Sequence, residues 1–117
     1  SEYGAEAFYY IALIQHKLGH YEDSEKFIFE LINTLPSYEY WIAKSFILLS
    51  DNYIATDNLF QAKHTLKSVI ENYEGEELVG LALQKLKEIE KKEKENEINQ
   101  IPIIVEPEEE YQEPNED

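Results

Sequence analysis

His16 and His20 are the first residues of this sequence whose spacing suggests chemistry. On a single helix, an i, i+4 pair turns two imidazoles to one side, an arrangement used in zinc sites. Here Gly19 lies between them and is expected to break the helix, and the sequence places no third ligand. A metal role at His16 and His20 therefore stands as an alternative only. The absence of Cys removes thiolate ligands, disulfides and cysteine nucleophiles. Ser24, Ser45 and Ser50 sit where closely packed helices need small residues, which explains them without nucleophilic catalysis. With 25 acidic residues, carboxylate pairs arise by chance, and the four Gly form no phosphate-binding loop. Too little of a catalytic site is present to expect an enzyme. No cofactor and no resident metal is expected.

The charge is acidic, with a formal net value of −15, and it is unevenly spread. Residues 1–83 carry 13 acids and 5 Lys, residues 84–105 carry 5 of each, and residues 106–117 carry 7 acids and no base. Every cation is Lys, so the bidentate guanidinium fork used on phosphate and guanine is missing. Such a chain repels nucleic acid and anionic membrane surfaces. No apolar run approaches the ~18 residues of a membrane span, so no direct membrane insertion is expected.

Elements that would position any site are legible as helices. Apolar periodicity predicts a first helix over about Tyr3 to Leu18 and a second over about Tyr21 to Leu35, separated at Gly19 and stopped by Pro36. A third, from about Tyr38 to Ala55 with Ser37 as N-cap, is apolar on more than one face, as befits a central helix. A fourth runs from about Leu59 to Tyr73, ended by Gly75, and a fifth from about Glu76 to Glu97. Ion pairs along single helices are expected for Glu22–Lys26, Glu88–Lys92 and Glu90–Lys94. Pro102 and Pro107 then forbid a helix, and the branched residues between them favour an extended form. This divides the chain into a helical domain over 1–99 and an extended, acidic, Pro-containing tail over 100–117.

The first two helices carry Phe8, Ile11, Ala12, Gly19, Tyr21, Ser24, Ile28, Leu31 and Pro36, and this pattern resembles the tetratricopeptide repeat. A second copy follows in register: Phe46, Leu49, Ser50, Tyr53, Ala62, Leu66 and Val69, with Asp57-Asn58 in place of Gly19-His20. Phe8 and Phe46 are 38 residues apart, four beyond the family period, which implies a first helix one turn longer in the second pair. Longer helices of this sort are similar to those of large bacterial cell-envelope proteins of the family. The resemblance implies an all-α stack of two helix pairs plus a C-terminal capping helix, the end of a longer scaffold, with a periplasmic or envelope location.

It also implies a non-catalytic protein–protein interaction module that binds an extended or helical peptide segment in its concave groove. Carried onto this sequence, the groove stripe is Tyr9, Leu13, His16 and Lys17 from the first helix and Lys44, Ile47, Asp51 and Ile54 from the third. Trp41 is expected at the rim, partly exposed, as an aromatic anchor. The Lys and Asn with which some members grip a C-terminal carboxylate are replaced by Tyr9, Leu13 and Leu48. A purely structural cap is the alternative. Self-association is expected through the exposed repeat end or the tail, whose residues 101–105 either dock on the third helix or stay solvated.

Overall fold

The computed structural model describes residues 1–102 and 113–115. Five helices follow in order: α1 (Glu2–Lys17), α2 (Tyr21–Thr34), α3 (Glu39–Ala55), α4 (Leu59–Asn72) and α5 (Glu76–Gln100). Among the described residues there is no strand. α1 pairs with α2 and α3 with α4, α5 packs on α4, and α3 touches all four of the others. The architecture is a stack of two helical hairpins closed by a long fifth helix.

Both hairpins turn in the same way. Gly19 has φ 78°, and Asp57, 38 residues on, has φ 59°. In the first turn the His20 amide donates to the Gln15 carbonyl at 2.9 Å, and in the second the Asn58 amide donates to that of Tyr53 at 2.7 Å. This is the left-handed helix stop that satisfies otherwise orphaned carbonyls. Asp tolerates the conformation less readily than Gly, yet the same geometry forms. Asn58 also caps α4, its side chain accepting from the Gln61 amide at 3.4 Å. At the α4–α5 link the Tyr73 ring lies only 2.4 Å from where a β-carbon on Gly75 would stand, so any larger residue there would have to displace that ring.

Hydrophobic burial divides into two clusters that meet in α3. One gathers Tyr9, Ala12, Ile28, Leu48 and Leu49 from α1, α2 and α3. The other gathers Ala43, Ile47, Leu66, Val69, Leu78 and Ile89 from α3, α4 and α5. Small side chains permit the close approach: Ala5, Ala12, Ser24, Ser45, Ser50 and Ala62 are all fully enclosed. A helix pair has only one apolar interface of its own, so burying α3 on both sides is what makes two pairs hold together.

Three local expectations are corrected. Tyr38, not Ser37, is the N-cap of α3, and no side chain bonds there. α3 has 17 residues against 16 in α1, so it is longer by one residue and not by a turn. The ion pairs expected along single helices do not form. Among the described residues the pairs run between helices instead, Lys63–Glu93 and Lys85–Asp51, each at 2.8 Å. Flexible neighbours on one exposed face gain little from pairing, whereas a partly shielded partner on the next helix is less screened. Of the 101–105 segment, Ile101 and Pro102 are exposed, and the remainder lies outside the described residues.

Leu49→Ala should lower stability by about 2–5 kcal/mol, because it opens a cavity in the α1–α2–α3 cluster. Lys92→Ala, on the exposed back of α5, should cost well under ~1 kcal/mol. Urea midpoints of the two variants check this, and equal shifts would refute the assignment of faces.

Candidate functional site

α1 and α5 do not touch each other, and the space between them is a cleft with α3 as its floor. Tyr9 and Leu13 line it from α1, while Glu77, Leu78, Leu81 and Lys85 line it from α5. The floor is Tyr40, Lys44, Ile47, Leu48 and Asp51, a helical stripe of α3. The cleft holds about 260 Å³. Ile47 and Leu48 are the apolar part of this floor, and Lys44 and Asp51 are the charged part of the same stripe.

Those charges have different partners. Lys85 Nζ reaches Asp51 Oδ1 at 2.8 Å, and this pair ties α5 to α3 across the floor. Lys44 has no carboxylate partner among the described residues. Its ammonium instead faces three rings, with Nζ 4.9 Å from the centroid of Tyr9, 5.3 Å from Trp41 and 5.6 Å from Tyr40. Such contacts hold a cation in place without neutralising it. Trp41 itself meets Tyr40 edge-on at 5.1 Å and Tyr9 at 5.7 Å. The Tyr9 phenol is pushed above its ordinary pKa chiefly by burial; Lys44 opposes the rise, and Tyr10 and Asp51 add to it.

Beneath the cleft, a buried polar chain joins three helices. His16 Nδ1 donates to Asn52 Oδ1 at 2.7 Å, Asn52 Nδ2 donates to Ser24 Oγ at 2.9 Å, and Ser24 Oγ donates to the Ala12 carbonyl at 2.7 Å. Asn52 and Ser24 are completely enclosed. A serine, a histidine and an amide therefore lie in one chain, but the amide stands between the other two. The histidine cannot act on the hydroxyl directly, and the hydroxyl has no access to solvent. The chain is a structural link.

Five of the expected groove residues, Tyr9, Leu13, Lys44, Ile47 and Asp51, come together in the cleft. His16, Lys17 and Ile54 do not line it. His16 is turned inward by Asn52 and packs beside Tyr21 at 5.5 Å. Lys17 lies exposed at the end of α1. Ile54 lies two turns beyond Ile47 and only about 20° from it around α3, but at that height it packs on the α3–α4–α5 cluster and does not line the cleft. Trp41 is half-buried, next to the cleft but not lining it, and packs with the α1–α2–α3 cluster. His20 donates to Gln15 instead of pairing with His16, because α1 ends at Lys17. Among the described residues, no group of three or more His, Cys, Asp or Glu is placed to hold a metal ion.

Asn52 and the whole α5 wall were missed by sequence reasoning. A lone amide in the middle of an apolar helix was a signal for Asn52, and the i, i+3, i+7 spacing of Leu78, Leu81 and Lys85 was one for the wall. A second, smaller cleft of about 150 Å³ lies on another face of α3, between Ile42 and Phe46 and the end of α4 at Val69 and Tyr73. Only two helices form it, and of its lining side chains only Glu39 is charged.

Two outcomes test this arrangement. Asn52→Ala should lower stability by about 1–3 kcal/mol, the cost of stranding buried hydrogen-bonding groups; an unchanged urea midpoint would show that the polar chain holds nothing. In the alkaline range, Tyr9 and Tyr53 both have raised pKa values, each chiefly through burial. The folded state then retains protons that the unfolded chain releases, so stability is intact below the ordinary tyrosine pKa of about 10 and falls as pH rises through the folded values. Tyr9→Phe should flatten that fall, and Lys44→Met should raise the Tyr9 pKa further; tyrosinate absorbance and urea midpoints against pH measure both.

In comparisons with protein-family models, curated proteins and solved structures, nothing matches this chain.

Proposed function

We propose that this chain is a non-catalytic binding module of tetratricopeptide-repeat type, taking an extended apolar peptide segment in the α1–α3–α5 cleft. The observation that carries this is the cleft itself: Leu13, Ile47, Leu78 and Leu81 form an apolar base between two helices that do not close on each other. An extended segment would lay alternate side chains on that base. The unneutralised Lys44 and the Asp51–Lys85 pair supply polar contacts that set its orientation. The repeated hairpin with its matching turns at Gly19 and Asp57 supports the family assignment, although its 38-residue offset exceeds the family period by four. The enclosure of Ser24 and the engagement of His16 by Asn52 support a role without catalysis.

A panel of extended apolar peptides tests the proposal. Its first member carries the sequence of residues 100–107, Gln-Ile-Pro-Ile-Ile-Val-Glu-Pro. Saturable amide shifts at Leu13, Ile47 and Leu81 are expected, with Leu81→Glu weakening them and the exposed Lys92→Ala leaving them unchanged. If no panel member moves these resonances, binding in the cleft is refuted and a purely structural cap is the better account.

A further inference from the structure

We propose that the outer face of α1 is a self-docking surface, on which a second copy of the chain lays its own α1 antiparallel. Opposite the side that packs on α2 and α3, α1 presents Tyr3, Ala7, Tyr10, Ile11, Ile14 and Leu18, all within an arc of about 100°. Tyr3 is 83% exposed, Tyr10 45%, Ile14 54% and Leu18 61%. This stripe carries no charge, on a chain whose net charge is −15. Apolar residues scattered singly need no explanation, but a continuous stripe along a whole helix does.

Symmetry of the stripe points to its occupant. A two-fold interface requires one patch to be complementary to itself. The stripe is centred between Tyr10 and Ile11: Tyr3 and Leu18 are equally far from that midpoint, as are Ala7 and Ile14. Turning a second α1 end for end therefore sets large residues against large ones at the ends and Ala7 against Ile14 between them.

Charge selects the same alignment. Glu6 and Lys17 lie on one flank of the stripe, about 20° apart around the helix and about 16 Å apart along it. Among the described residues neither belongs to an ion pair. In an antiparallel pair, each flank meets the same flank of the other copy, so Glu6 of one faces Lys17 of the other, twice. A parallel pair would set this flank against Gly4 and Gln15 and leave all four charges unmatched. Antiparallel packing also places the acidic first turn of each helix beside the basic last turn of the other, as the helix dipoles favour. The stripe is about 22 Å long and one helix wide. That is well below the ~800 Å² per partner of a standard interface, so the dimer is weak.

The stripe includes neither of the α1 residues that line the peptide cleft, Tyr9 and Leu13, although the Glu6–Lys17 flank lies between them and it. Sedimentation equilibrium of the full chain, from micromolar to millimolar concentration, tests it. A reversible dimer is expected, and Ile14→Glu should weaken it by about tenfold or more. Glu6→Lys alone and Lys17→Glu alone should each weaken it, and the double variant Glu6→Lys/Lys17→Glu should restore it. These positions are at the surface, and circular dichroism confirms that each variant is folded. A chain that stays monomeric to millimolar concentration overturns the proposal. So does a dimer indifferent to Ile14→Glu, which would place association on the tail or on α5. Failure of the double variant to restore affinity overturns the antiparallel alignment.

Discussion

A buried amide must find partners, and the side chain of Asn52 finds them on two other helices. Its oxygen accepts from His16 on α1 and its nitrogen donates to Ser24 on α2. Apolar packing alone tolerates sliding and rotation, because one methyl contact is much like another. Hydrogen bonds between fully enclosed groups do not. With Asn52 satisfied, α3 has one rotation and one height relative to the first hairpin. Everything built on α3 then follows, including which stripe faces α4 and which becomes the floor of the cleft. Removing either partner leaves a polar group without water, so the junction resists adjustment.

The hydrophobic clusters inherit that geometry. Leu48 and Leu49 point toward the first hairpin, while Ala43 and Ile47 point toward the second hairpin and α5. α3 is thus shared by both cores, which couples the hairpins into one cooperative body. It also explains the cleft, since one helix cannot be enclosed on every side by four neighbours. The remaining stripe of α3 is only partly covered: Ile47 and Leu48 are buried at the base of the cleft, while Tyr40 is exposed and Lys44 and Asp51 are half-buried.

Much of this was legible in the residues. The five helices were, because apolar periodicity and stops at Gly19, Pro36, Asp57-Asn58 and Gly75 agree with one another. The α1 and α3 sides of the cleft were partly legible through the repeat resemblance, whose groove stripe, carried onto this sequence, includes Tyr9, Leu13, Lys44, Ile47 and Asp51. Spacing gives a stripe but neither the rotation at which it is set nor the height at which it leaves the cleft. That is why Ile54 was placed in the cleft when it packs in the core, and why His16 was given a groove when Asn52 holds it inward. The α5 wall was missed because Leu78, Val79, Leu81, Ala82 and Leu83 make its first turns apolar nearly all round, so periodicity does not say which of them face α4 and which face the cleft. Pairing between helices, as in Lys63–Glu93, depends on tertiary distance and has no signal in local sequence.

α5 is one continuous helix of 25 residues, and it does two things at different heights. Its first turns form a wall of the cleft through Leu78 and Leu81, and Glu93 is its last residue pinned to a neighbour, by Lys63 of α4. Beyond Glu93 the helix runs on to Gln100 with every side chain in solvent, an overhang of about 10 Å. The rod is thus anchored at one end, where Leu78, Ala82 and Ile89 sit in the core, and unsupported at the other. Its last two turns rest on their own backbone hydrogen bonds alone, so they are the part of the helix that opens first.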